Sequence, residues 1–112
     1  MTMDYFRSPE GRQLAYSHVA PKAGGLTFVW LSGFKSDMSG GKAQAVAAWA
    51  RASGHGALLF DYSGHGQSDG RFEDGTISAW REDALAAIDA LSEGPLVLVG
   101  SSMGGWLSLL AA

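Results

Sequence analysis

The sequence predicts an α/β protein: a mostly parallel sheet with an N-terminal antiparallel hairpin and helices on both faces. Two observations carry this. Short apolar runs, Leu26 to Leu31, Ala57 to Phe60 and Leu96 to Val99, alternate with longer alanine-rich segments of helical period, the pattern of parallel strands joined by right-handed crossovers. Ahead of them, Tyr5 to Arg7 and Gln13 to Val19 flank Ser8-Pro9-Glu10-Gly11, a turn sequence with proline and glycine in favoured positions.

The hairpin alternates, so one face is expected to meet solvent, and His18 in its second strand reads as a partly buried or surface residue. Pro21 to Gly25 is a loop. The strand Leu26 to Leu31 ends at Ser32-Gly33-Phe34, where Gly33 permits a backbone reversal at a strand's C-terminal end, the place where ligand sites gather in open α/β sheets. A helix is expected from about Gly41 to Ala52, because Ala43, Val46, Ala47 and Ala50 share one face and Gly54 supplies a stop.

Ala57 to Phe60 leads into a loop that runs through Asp61-Tyr62-Ser63-Gly64-His65-Gly66-Gln67-Ser68-Asp69-Gly70 to Gly75. The next helix, about Thr76 to Leu91, carries the stripe Ile77, Trp80, Ala84, Ile88 and Leu91. Its charges, Arg81, Glu82, Asp83 and Asp89, are read as a solvated face. Gly94-Pro95 ends it and opens the strand Leu96 to Val99, a continuous apolar run of the kind buried on both faces of a parallel sheet.

After that strand the chain must reverse sharply, because an apolar helix, MGGWLSLLAA, begins at Met103. Gly100, Ser102 and Gly104 fit G-x-S-x-G, in which a serine on a strained strand-to-helix turn projects its hydroxyl from the top of the sheet. Glycines two positions either side of Ser102 let strand and helix approach closely enough to force that serine to positive φ. The helix then directs its positive end and free N–H groups at the hydroxyl, where an oxyanion would form.

With 16 glycines in 112 residues such a pattern arises easily, and Gly66-Gln67-Ser68-Asp69-Gly70 is a second copy. Context separates them. Ser68 has no apolar strand immediately before it and no helix immediately after, so Ser68 reads as a loop residue and Ser102 as the nucleophile.

Composition limits the alternatives. The chain has 46% hydrophobic and 17% charged residues, which suits one packed domain. A net charge of -3 with scattered basic residues leaves no footprint for nucleic acid or an anionic membrane. There is no cysteine for a disulfide or thiolate metal site, no apolar run of membrane-spanning length and no signal-peptide pattern at the start. The expectation is a soluble cytoplasmic protein with no cofactor and no metal.

Two glycine-rich stretches fail as phosphate loops. Ser39-Gly40-Gly41-Lys42-Ala43 lacks the glycine needed at Ser36 and the hydroxyl needed at Ala43. Gly64 and Gly66 follow a strand as in a dinucleotide fingerprint, but Asp69 occupies the third glycine position and no helix starts there. Of the histidines, His55 opens a strand and so lies at the opposite end of the sheet from Ser102, a structural place. His65 is better located, after a strand's C-terminal end, yet a base normally follows the nucleophile in the order Ser, Asp/Glu, His.

The sequence resembles the α/β-hydrolase superfamily over nearly its whole length. The resemblance rests on three motifs in order: Ser32-Gly33-Phe34, the loop Asp61 to Gly70, and Gly100 to Gly105. Met38 to Ala43, Trp80-Arg81 with Asp83, and Gly94-Pro95 leading to Gly100-Ser101-Ser102-Met103-Gly104-Gly105-Trp106 look like the branch that contains a mitochondrial acyl-protein thioesterase active on acyl glucuronides. The resemblance implies hydrolysis of an ester or thioester through an acyl-enzyme, with Ser102 as nucleophile and the N–H groups of Phe34 and Met103 as oxyanion hole.

The superfamily also needs an acid and a histidine after the nucleophile, and no histidine follows Ser102 in this sequence. Residues 1–112 therefore read as the N-terminal half of a single domain, inactive alone, with the acid, the histidine and any lid in a C-terminal half. Two further readings stay open: a non-catalytic hydrolase-like module that binds a partner through an open sheet edge, and a peptidase or haloperoxidase-like enzyme on the same fold.

Overall fold

The computed structural model describes residues 3–92 and 94–112. Strands β1 (Asp4–Arg7) and β2 (Gln13–Val19) form the expected hairpin, followed by β3 (Thr27–Leu31), α1 (Gly41–Ala52), β4 (Gly56–Phe60), α2 (Ile77–Leu91), β5 (Leu96–Gly100) and α3 (Met103–Ala111). A single 3₁₀ turn at Phe72–Asp74 interrupts the long loop before α2. The sheet order is β1-β2-β4-β3-β5. β3 runs parallel to both β4 and β5, while β2 is antiparallel to β1 and β4.

Register follows from the twofold period of a strand, which sends alternate residues to opposite faces. Val29 is aligned with Leu58 and with Leu98. On one face Val29, Leu31, Leu58 and Phe60 pack with Trp80, Ala84 and Ala87 of α2 and with Met103 and Leu107 of α3. On the other, Trp30, Ala57 and Leu59 meet Ala43, Ala47 and Ala50 of α1. The helices thus cover both faces, and β4 is buried along its whole length.

α2 starts where Thr76 caps it: the Thr76 Oγ1 accepts from the Ala79 N–H at 3.0 Å, satisfying one of the donors left over at a helix start. The apolar stripe faces the core as expected, but Asp83 does not belong to a solvated face. It is fully buried, with Oδ1 accepting from Arg12 Nε at 2.9 Å and Oδ2 from the Ser63 N–H at 2.8 Å. A buried carboxylate persists when both oxygens are paired, and here the partners come from the hairpin and the β4–α2 loop.

β5 pairs with β3 along one side only, so among the described residues it is a sheet edge, with Leu96 to Val99 half-buried. Next to it α3 exposes Trp106 and Leu109, the latter 78% accessible. Apolar side chains at an unpaired edge form a surface suited to further chain.

Candidate active site

The turn between β5 and α3 is built by contact between backbones. A Cβ at Gly100 would run into the Gly104 carbonyl group, and one at Gly104 into the Leu31 carbonyl, so the pair of glycines lets α3 sit directly on β5 and β3. Ser102, between them, has φ 58° and ψ −119°. Only one other non-glycine residue among the described residues has positive φ, Lys35 at 59°, and such a conformation costs on the order of 1 to 3 kcal/mol unless its surroundings impose it.

The end of β3 lies against this turn. The Ser101 N–H donates to the Leu31 carbonyl at 3.4 Å, and a Cβ on Gly33 would stand 3.1 Å from the Ser101 carbonyl oxygen and 3.5 Å from the Ser102 Cβ. Gly33 is therefore needed for proximity. The reversal itself places Lys35, not Gly33, at positive φ, in a turn closed by Ser36 N–H to Gly33 O at 3.1 Å. Nothing in the sequence marks a lysine for that conformation.

Gly33, Phe34, Ser101 and Ser102 share the wall of a cavity of about 350 Å³, with Trp30 and the start of α1 opposite. Ser102 is exposed to it. Among the described residues neither the Phe34 N–H nor the Met103 N–H has a hydrogen-bond partner. The Met103 N–H is at the first turn of α3, where helices leave donors unused and carry partial positive charge. Unpaired backbone donors at a helix start, beside a serine hydroxyl, can stabilise negative charge that develops on a carbonyl oxygen.

The loop after β4 braces the turn after β3. Tyr62 Oη donates to the Ser32 carbonyl at 2.9 Å, the Lys35 N–H donates to His65 Nε2 at 3.3 Å, and the Met38 N–H donates to Asp61 Oδ1 at 2.8 Å. Burial raises the Asp61 carboxyl above its usual range, against the pull of the Met38 and Gln67 N–H groups, and burial likewise pushes up the Tyr62 phenol. Tyr62 stays a donor. Ser68 is tied down too, accepting from the Ala15 N–H at 2.8 Å and donating to the Asp61 carbonyl at 2.7 Å.

The two doubtful histidines fall in different places. His55 lies at the start of β4, its Nδ1 accepting from the Leu26 N–H at 3.0 Å beside Phe28 and Trp49. His65 lies after β4 and is buried, with both ring nitrogens engaged by backbone groups. His65 was expected near this end of the sheet but not as a brace, and nothing in the sequence assigned the side chains of Asp61 and Tyr62, or the backbone of Lys35, to shaping the site. The usable signal was the Asp61 to Gly70 motif, whose polar residues point back at the first turn. Among the described residues no cluster of His, Asp and Glu is placed to hold a metal ion, and no helix is long and apolar enough to cross a membrane.

Residues 25–112 match the family described as the alpha/beta hydrolase family. Human palmitoyl-protein thioesterase ABHD10, mitochondrial, is 43% identical over 111 residues, which cover 99% of this chain and 36% of that protein. The solved structure of mouse alpha/beta hydrolase domain-containing protein 10 superposes with a TM-score of 0.92 at 40% identity, covering 99% of this chain and 44% of that one. A putative hydrolase from Agrobacterium vitis S4 superposes with a TM-score of 0.93 at 43% identity, covering 98% and 44%. The chain thus spans little more than a third of the length of the curated relatives it matches.

These relatives correct one expectation. The curated relatives are named as mitochondrial, which overturns the cytoplasmic assignment. That assignment leaned on the lack of cysteine and of a signal-peptide pattern, and neither separates the cytoplasm from the mitochondrion. Over the fold and the matched residues together, this chain belongs to the α/β hydrolase family.

Proposed function

We propose that the chain carries the nucleophile and oxyanion hole of a serine hydrolase that cleaves carboxylic ester or thioester bonds through an acyl-enzyme on Ser102. The observation that supports this most is the left-handed Ser102 at the β5–α3 turn, in one cavity with the Phe34 turn. In this reading Ser102 Oγ attacks the acyl carbonyl and yields its proton to a histidine. The carbonyl oxygen becomes an oxyanion held by the Phe34 and Met103 N–H groups. Collapse breaks the bond to the alcohol or thiol, which takes up the proton, and water then releases the acid by the same route.

The base has to come from outside these residues. His65 spends both nitrogens on backbone groups, His55 is occupied at the other end of β4, and His18 lines a separate cavity with Pro21, Asp89 and Pro95. We therefore propose that residues 1–112 are the N-terminal half of one hydrolase domain whose remaining part supplies the acid, the histidine and the strand that pairs with β5. The shares of 36% and 44% of the relatives' lengths agree with this. A second reading, a binding module without turnover, draws on the same open edge at β5 and on exposed Trp106 and Leu109.

A palmitoyl thioester is the first substrate to try, because relatives at 42–43% identity are named for that activity. The test uses the chain extended to the relatives' length, assayed on palmitoyl thioester and on short-chain esters. Turnover that drops by on the order of 10⁴-fold or more in Ser102→Ala and persists in Met103→Ala, which keeps the backbone donor, is the expected result. Equal turnover without Ser102 contradicts it, and no turnover in an extended protein that binds a partner favours the module.

A further inference from the structure

We propose that His65 is a positioning residue for acyl transfer: it holds the Gly33–Ser36 turn in the conformation that keeps the Phe34 N–H free beside Ser102. The inference rests on the reading of Phe34 and Ser102 given above. It starts from a strained residue. Lys35 follows Phe34 with φ 59°, a conformation that glycine adopts freely and lysine does not, at the third position of the turn closed by Ser36 N–H to Gly33 O. Something outside the turn has to impose it.

His65 is the group bonded to the Lys35 backbone. Its Nε2 accepts from the Lys35 N–H at 3.3 Å and its Nδ1 lies 3.1 Å from the Ser63 carbonyl. A carbonyl can only accept, so Nδ1 carries the hydrogen and Nε2 the lone pair, and the neutral ring bridges the two loops. The ring cannot swing away. It is 4% exposed and caged edge-on by Tyr62, Phe72 and Trp80, with centroids 5.5, 5.2 and 5.1 Å distant.

The far end of the bridge is anchored in α2. The Ser63 carbonyl also accepts from Trp80 Nε1 at 3.1 Å, and the Ser63 N–H donates to buried Asp83 at 2.8 Å. A continuous path runs from α2 through Ser63 and His65 to Lys35, the residue next to the proposed oxyanion donor. Tyr62 and Asp61 pin Ser32 and Met38 on either side, but neither touches the turn's strained residue.

A donor that serves only the transition state should reveal its support in kcat and not in KM. The test compares wild type, His65→Leu and His65→Gln in the protein extended to the relatives' length, on one ester substrate, with folding followed by circular dichroism and thermal melting. His65→Leu is expected to lose roughly 10- to 100-fold in kcat, short of the full loss of an oxyanion donor, with KM within about twofold. His65→Gln, whose amide oxygen can accept from the Lys35 N–H, is expected to recover most of that loss. Amide exchange at Lys35 should accelerate in His65→Leu and not in His65→Gln.

A folded His65→Leu enzyme with wild-type kcat, or a loss carried by KM, overturns the proposal. If His65→Leu fails to fold, His65→Gln decides alone, and a folded glutamine variant as slow as an enzyme missing an oxyanion donor overturns it. An inactive wild type would instead count against the hydrolase reading, so the two failures are told apart.

Discussion

Gly33 and Ser102 face each other across the gap between the β3 and β5 turns, close enough that a methyl group on Gly33 would stand 3.5 Å from the Ser102 Cβ and 3.1 Å from the Ser101 carbonyl oxygen. The second distance is shorter than side chains normally accept. Gly33→Ala should therefore push the Phe34 turn away from Ser102 by a few tenths of an ångström. Turnover is expected to fall roughly tenfold or more, since oxyanion donors act over a narrow range of geometry. Stability should change by only about 1 kcal/mol. Parallel kinetics and urea melts check this, and a Gly33→Ala enzyme of unchanged kcat would show that the spacing is not critical.

Asp83 ties three segments together, because from α2's buried face it accepts from the Arg12 guanidinium on the hairpin and from the Ser63 N–H in the β4–α2 loop. Asp83→Ala leaves that N–H and part of a charge without a partner. Arg12 is partly exposed, with 28% of its side chain accessible, so water recovers some of the loss, and the expected cost is about 2 to 3 kcal/mol. Denaturant unfolding measures it. A cost under half a kcal/mol would place the pair among ordinary surface salt bridges.

The fold was largely written in hydrophobic period. The stripe Ala43, Ala47 and Ala50, the stripe Trp80, Ala84 and Ile88, and the three apolar strand runs each fell on the expected element, because a residue's place on a helix or strand decides its burial. Charge did not obey period alone. Asp83 looked like one of several solvated carboxylates, and its burial depends on Arg12, a residue 71 positions away in sequence. The Ser102 turn was legible because two glycines mark the close backbone contact. The brace formed by Asp61, Tyr62 and His65 was not, since it consists of side chains bonding to the backbone of a loop distant in sequence.

Asp61 makes part of that brace sensitive to pH. Burial raises its native-state pKa above the ordinary 3.8, so the native protein holds this proton to higher pH than the unfolded chain does. The stability it contributes is complete below about pH 3.8 and is lost as pH rises through the raised native value. The difference in unfolding free energy, wild type minus Asp61→Asn, is expected to shrink over that window and then level off. Denaturant melts at closely spaced pH values test the sign, and a difference that grows with pH contradicts it.

The β5 edge sets the behaviour of residues 1–112 in isolation. With one side of Leu96–Gly100 unpaired and Trp106 and Leu109 exposed beside it, this piece is expected to self-associate or to unfold without cooperativity. The extended protein should be a cooperative folding unit. Analytical ultracentrifugation with thermal melting distinguishes the two states, and a soluble, cooperative monomer of residues 1–112 would contradict the half-domain reading.

The most direct measurement of the central claim is intact mass of the extended protein before and after reaction with a fluorophosphonate, with the adduct mapped by peptide sequencing. One adduct per chain is expected, on Ser102, lost in Ser102→Ala and retained in Ser68→Ala. An adduct on any other residue, or an extended protein of correct mass that takes up none, would mean that the Ser102 turn is present without the chemistry assigned to it.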